Sequence, residues 1–122
     1  FRSMIQDVER NKLKYKSIHL IFGVRKEKDI LYYEEIIDWC KYLENFKASI
    51  CLSRETKLPT NTDNLTFFNG YVHPVYLNEK YKSPKDNLFM ICGWTEIIDE
   101  TVLHLINELK VDRTQIKYEL FG

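Results

Sequence analysis

Three short stretches of this 122-residue chain carry side chains that could do chemistry, and each closes an apolar run. The most unusual is "NLFMICGWTE", Asn87 to Glu96, in which Cys92-Gly93 is followed by Trp94 and Thr95. A cysteine there could be a nucleophile, a metal ligand or a contact for a bound planar ring. The plain alternative is a core cysteine ending a buried strand. A nucleophile needs a neighbouring base, and His19, His73 and His104 carry no sequence cue for that role. His73, soon after Gly70-Tyr71, is the histidine nearest the expected ligand edge.

Gly93 allows backbone to approach a ligand with no Cβ between them, and a helix beginning after it offers free N–H groups and a positive dipole end. Ser53-Arg54 supplies a hydroxyl and a guanidinium, a pair suited to a phosphate monoester, and Arg25 could hold a second phosphate or a ribose. Together they describe a nucleotide lying across the top of a sheet. Each feature also has a plain reading: Ser53-Arg54 as a solvated loop, and Arg25 as the partner of Glu27 or Asp29.

These residues need elements to place them. Phe1, Met4, Ile5 and Val8 recur at helical spacing. "SIHLIFG" (Ser17 to Gly23) reads as a buried strand, and "ASICLS" (Ala48 to Ser53) as a second. Between them Asp29 is expected to cap a helix through Glu44 with Ile30, Tyr33, Ile36, Ile37, Cys40 and Leu43 on its core face. Residues 54–70 hold Pro59, Asn61, Asn64 and Gly70 and read as a long functional or mobile loop. A short helix is expected in "YVHPVYLNEK", and a third strand in "NLFMIC". A helix from Glu96 to Leu109, N-capped by Thr95, should follow, with Ile98, Val102, Leu105, Ile106 and Leu109 inward. "QIKYELF" completes the pattern as a fourth strand. Alternating strands and helices imply an α/β fold of βαβ units with a parallel sheet. Ligands bind beyond the carboxyl ends of such strands, so 23–25, 53–55 and 92–94 should line one edge.

Composition narrows the classes. The chain is 44% hydrophobic and 30% charged, as a single soluble-type domain should be. Its 18 basic and 18 acidic residues give no global field for nucleic acid or an anionic membrane. Arg10, Lys12, Lys14 and Lys16 form a local basic cluster that reads as a solvated connection, or as a place for an acidic partner to dock. No apolar run approaches the roughly 18 residues of a membrane span. Cys40, Cys51 and Cys92 are odd in number and form no CxxC pair, which argues against a disulfide scaffold or zinc site. A reducing compartment, cytoplasmic or organellar, fits that cysteine usage.

Four pieces in order, "LIFGVRKEKDILYYEE", "SICLSRE", "GYVHPVYL" and "LFMICGW…IKYELFG", resemble the NAD(P)-binding domain of the ferredoxin–NADP reductase superfamily. The resemblance spans nearly the whole chain. It implies a Rossmann-like NAD(P)-binding parallel sheet flanked by helices, lacking its first strand and phosphate loop. "FRSMIQDVE" is similar to the helix that follows that loop in the family. The expectation is therefore a piece of a longer protein, with the missing strand and an FAD-binding β-barrel upstream. The gap would lie between the strands at Ile18 and Leu88. An isolated piece, inactive alone, would close it by rearrangement or by pairing as a homodimer.

The resemblance also assigns roles one residue at a time. Cys92 matches the family cysteine beside the nicotinamide, where hydride passes to the flavin, and Gly93 the glycine of that motif. Ser53 and Arg54 match the pair that grips the adenosine 2′-phosphate of NADP, and Tyr71 an aromatic at the adenine end. Arg25 matches a position near the ribose and phosphates. Phe121 corresponds to a C-terminal aromatic near the flavin, with Glu119 before it, and Phe1 and Arg2 adjoin the phosphate loop. Trp94 departs from the usual proline or leucine, either shielding the nicotinamide pocket or covering the sheet end; Ile97 and Ile98 replace a frequent methionine. The implied function is flavin-dependent electron transport from NADPH or NADH through FAD to ferredoxin or a similar acceptor. The alternative on the same fold is a non-catalytic nucleotide-binding or docking module. A receiver-like signalling domain would need acidic strand ends, and these end in Gly, Ser and Cys.

Overall fold

A computed structural model describes residues 17–78, 87–93 and 95–120. The chain divides into two compact units, 1–76 and 77–122. The expected opening helix at Phe1, Met4, Ile5 and Val8, the basic cluster from Arg10 to Lys16, Trp94 and Phe121 lie outside the described residues.

In the first unit three parallel strands stand in the order β1-β2-β3: Ile18–Val24, Phe46–Leu52 and Leu65–Asn69. Central β2 is buried from Ala48 to Leu52, as a strand covered on both faces should be. Side chains alternate across a strand. Ile18, Leu20, Phe22 and Val24 of β1, Phe46, Ala48, Ile50 and Leu52 of β2, and Leu65 and Phe67 of β3 therefore share one face. Helix α1, Tyr33–Tyr42, packs there through Ile36, Trp39 and Cys40. Trp39 meets Phe46 edge to face at 5.9 Å between ring centroids, and Tyr33 meets Phe67 at 6.3 Å. Full burial of one such aliphatic side chain contributes roughly 1.5–3 kcal/mol, so this face holds the unit together.

Asp29 does not cap α1. Its carboxylate accepts from the N–H of Lys26 at 3.2 Å and closes a 3-10 turn, Glu27–Asp29. The α-helix starts only after Tyr32, whose backbone is left-handed (φ 55°) and whose side chain makes no cap bond. Its far end is closed by Asn64, whose Nδ2 donates to the carbonyl of Cys40 at 3.1 Å; terminal helix carbonyls lack intrahelical donors.

Residues 54–70 are not one long loop, because they contain β3. Their polar residues do local structural work. Asn61 Oδ1 accepts from Phe67 N–H at 2.8 Å, and Thr62 N–H donates to Leu65 carbonyl at 2.9 Å. Gly70 ends the strand with φ 108°, a backbone state that L side chains resist. The short helix α2, His73–Asn78, forms where expected.

The second unit is a βαβ element. β4, Phe89–Gly93, pairs in parallel with β5, Ile116–Leu120, and α3, Thr95–Asn107, connects them. Thr95 is already the first helical residue rather than the cap. Ile98 and Leu105 are buried, with Val102, Ile106 and Leu109 half-buried. Gln115 Nε2 donates to the carbonyl of Asn87 at 2.9 Å and ties the starts of the two strands together. There are thus five strands in two sheets among the described residues, with β1 and β4 in different sheets. The class is α/β with parallel sheets flanked by helices, of Rossmann-like strand order.

Gly23 marks a tight approach. A Cβ there would lie 2.8 Å from Val72 Cγ1, closer than real contacts allow. Gly23→Ala should therefore destabilise the protein by roughly 1–3 kcal/mol, measured as a fall in the urea midpoint. In a Val72→Ala background the same change should be neutral or stabilising. Equal losses in both backgrounds would rule out the clash as the cause.

Candidate functional site at the carboxyl edge of the strands

Parallel pairing sets the ends of β1 and β2 side by side, with Gly23 opposite Cys51 and Val24 opposite Leu52. The pairing runs past the strands: Ser53 N–H donates to Val24 carbonyl at 3.1 Å, and Arg54 N–H to Arg25 carbonyl at 2.9 Å. Arg25 and Arg54 are thus backbone neighbours, both with exposed side chains, and Ser53 between them is half-buried. Gly70 N–H donates to Leu52 carbonyl at 3.2 Å, which brings the end of β3 to the same edge. The chain then turns so that Val72 covers Gly23. On either side of Val72, Tyr71 and His73 stack with rings 11° from parallel and centroids 6.1 Å apart. Tyr71 is 70% exposed. Arg25, Ser53, Arg54 and Tyr71 therefore gather at one edge of one sheet.

The carboxylates near Arg25 bond to other groups. Asp29 holds Lys26 N–H, as described, and Glu27 Oε2 accepts from Tyr33 Oη at 3.1 Å. Burial first, and the bond to Glu27 second, push the Tyr33 phenol up to about 12, so it stays a neutral donor at neutral pH. Glu55, the last residue of the 53–55 strand end, had no role of its own in the sequence, and the structure shows that it joins the two strand ends. Its Oε2 accepts from Glu27 N–H at 3.0 Å and its Oε1 from Thr56 N–H at 3.3 Å.

In the second unit Cys92 and Gly93 end β4, and the register sets Cys92 opposite Glu119 and Gly93 opposite Leu120. Cys92 and Glu119 thus stand on one face of the two-stranded sheet, Cys92 half-buried and Glu119 exposed. Gly93 is buried, but a Cβ there would meet Ile97 Cγ2 at an ordinary 3.5 Å, and its φ is not positive. Among the described residues neither packing nor backbone geometry requires glycine at 93.

The three cysteines are free thiols. Burial raises the Cys51 thiol to about 11, and burial raises that of Cys40 too, partly offset by the Ala48 N–H. Both are therefore protonated at neutral pH and shielded. Among the described residues no group of three His, Cys, Asp or Glu side chains could hold a metal. His19 Nε2 lies 2.7 Å from Ser49 Oγ, and Ser49, 6% exposed, stands in the middle of the central strand. No described helix is long and apolar enough to cross a membrane.

In a parallel α/β fold of this class, ligands bind at the carboxyl edge of the strands. Residues 1–102 match the family model of the oxidoreductase NAD-binding domain, and the chain belongs to that family, within the ferredoxin–NADP reductase-like superfamily. Curated relatives include one component of the Na(+)-translocating NADH-quinone reductase, its F polypeptide, from Yersinia pestis, Yersinia pseudotuberculosis and Neisseria meningitidis. Each is 27% identical over 124 residues, covering 99% of this chain and 29% of the relative. The chain is an NAD-binding oxidoreductase domain that spans less than a third of the length of these relatives.

Alkylation by iodoacetamide at neutral pH should modify Cys92 first, and Cys40 and Cys51 only on unfolding, since reactivity follows access and thiolate content. Peptide mapping by mass spectrometry reads the order directly. Modification of Cys51 as fast as Cys92 would contradict the burial of β2.

Proposed function

We propose that this domain lays NAD(P)H along the carboxyl edge of its strands and presents the nicotinamide for hydride transfer to a flavin bound outside this chain. The observation that carries this reading is the gathering of Arg25, Ser53, Arg54 and Tyr71 at one edge of a sheet whose family binds a dinucleotide. Arg54 and Ser53 would grip the adenosine phosphate, Tyr71 would stack on the adenine, and Arg25 would neutralise a second phosphate. Guanidinium–phosphate pairs are strong because both groups are charged and the fork is planar.

In the second unit Cys92, at the end of β4, would contact the nicotinamide, and Gly93 leaves the space a ring needs. The glycine is unexplained by packing or φ, which fits a residue kept small for a ligand. Glu119 stands beside Cys92 in register; with Phe121 it would face the flavin, and Trp94 would border the nicotinamide pocket. FAD, the expected flavin, would accept the hydride and release electrons singly. The chain contributes binding and orientation, positioning the reactants rather than transferring protons. Ferredoxin or a similar protein is the proposed acceptor; the names of the relatives make a quinone the other candidate.

The test is anaerobic titration of the full-length protein with NADPH and with NADH, following the flavin absorbance. Bleaching by either supports the reading, and binding without bleaching would favour a non-catalytic nucleotide module. Arg54→Ala should raise KM for NADPH by roughly 10- to 100-fold, the range of a hydrogen bond to a charged group, and KM for NADH much less. An equal rise for both coenzymes would remove Arg54 from the 2′-phosphate. Gly93→Ala should keep the melting temperature while slowing flavin reduction in stopped flow; an unchanged rate would show that no ring needs that space.

A further inference from the structure

The two arginine-bearing strand ends are joined by a carboxylate that neither the fold family nor the proposed function assigns. Glu55 follows Arg54, and its Oε2 reaches back to the N–H of Glu27, two residues beyond Arg25, at 3.0 Å. Its Oε1 accepts from Thr56 N–H at 3.3 Å within its own loop. Between these contacts runs the backbone bond from Arg54 N–H to Arg25 carbonyl. Glu27 is in turn held by the Tyr33 hydroxyl, from the first turn of α1. Both oxygens of Glu55 are thus engaged by amides of the protein. An acidic residue at the end of a strand in a dinucleotide fold commonly meets the ribose hydroxyls; this one faces the chain instead.

We infer that Glu55 is a positioning residue for the adenosine end of the coenzyme. Its carboxylate staples the loop after β1 to the loop after β2, and so fixes the separation of Arg25 and Arg54 before the phosphate arrives. Loops left free would have to be ordered on binding, and that ordering weakens affinity. The inference rests on the proposed coenzyme site, and its sign opposes simple electrostatics. Glu55 places a negative charge beside an anion site, so charge alone predicts that removing it would tighten binding. Positioning predicts weaker binding.

The experiment is steady-state kinetics of the full-length protein with NADPH and an artificial acceptor such as ferricyanide, for wild type, Glu55→Ala, Glu55→Gln, Arg54→Ala and Arg54→Ala/Glu55→Ala. Glu55→Ala should raise KM for NADPH between roughly 3- and 10-fold and leave kcat unchanged. Glu55→Gln, which retains one acceptor oxygen, should raise it less. The double variant should match Arg54→Ala alone, because Glu55 acts through the arginine. A KM that falls or stays level in Glu55→Ala, or losses that add in the double variant, would overturn the inference. Should Glu55→Ala fail to fold, the direction of the KM change in Glu55→Gln decides alone. Wild type without saturable dependence on NADPH or NADH would instead sink the proposed function itself, which keeps the two failures distinct.

Discussion

The grouping of Arg25, Ser53 and Arg54 depends on the parallel ladder between β1 and β2. Parallel strands point the same way, so their carboxyl ends must meet at one edge of the sheet. A single register then decides which residues become neighbours there. Here Val24 faces Leu52, and the next two steps of pairing set Ser53 against Val24 and Arg54 against Arg25. A shift of one residue would exchange the faces of β2, sending Ile50 and Leu52 out of the core and separating the arginines. The apolar face that fixes the core register therefore also fixes the polar edge. Fold and site share one constraint.

The glycines show how the same residue answers different demands. Gly70 is there for its backbone, at φ 108° after β3. Gly23 is there for packing, since Val72 occupies the volume of a Cβ and so carries the Tyr71–His73 pair over the end of β1. Gly93 answers neither demand among the described residues. In one sequence all three look alike.

How much was legible follows from which forces act locally. Strands β1, β2 and β4 announced themselves because continuous apolar runs need burial whatever surrounds them, β5 by the alternation of Ile116, Tyr118 and Leu120 with Lys117 and Glu119, and Ile36 and Cys40 fell on the core face of α1 by period alone. β3 stayed hidden: Leu65 and Phe67 alternate over only five residues, inside a segment whose Pro59, Asn61 and Asn64 read as turn chemistry. Those asparagines were turn formers, but Asn64 caps α1 from the other end of the loop, a partnership set by tertiary approach. Asp29 had the composition of a cap and spent its carboxylate on Lys26 N–H instead. Arg25, Ser53 and Arg54 were legible as strand-end residues, and the structure sets them at one edge. Glu55 was legible as part of the 53–55 strand end, but its bond to Glu27 was not, because that partner is distant in sequence.

That partnership connects the core to the edge through a short physical path. Phe67 of β3 packs edge to face on the ring of Tyr33 in the first turn of α1. The far end of that same ring donates to Glu27, and the amide of Glu27 is held by Glu55, next to Arg54. Tyrosine suits this position because its body is apolar and its tip is a donor, so one side chain serves the core and the loop together. Rearranging the core at Phe67 would tilt the ring and move its hydroxyl, and the loop after β1 would lose its fixed point. The edge therefore rests on what lies beneath it: the arginines stand on loops, and those loops are tied to aromatic packing and to the parallel ladder of β1 and β2.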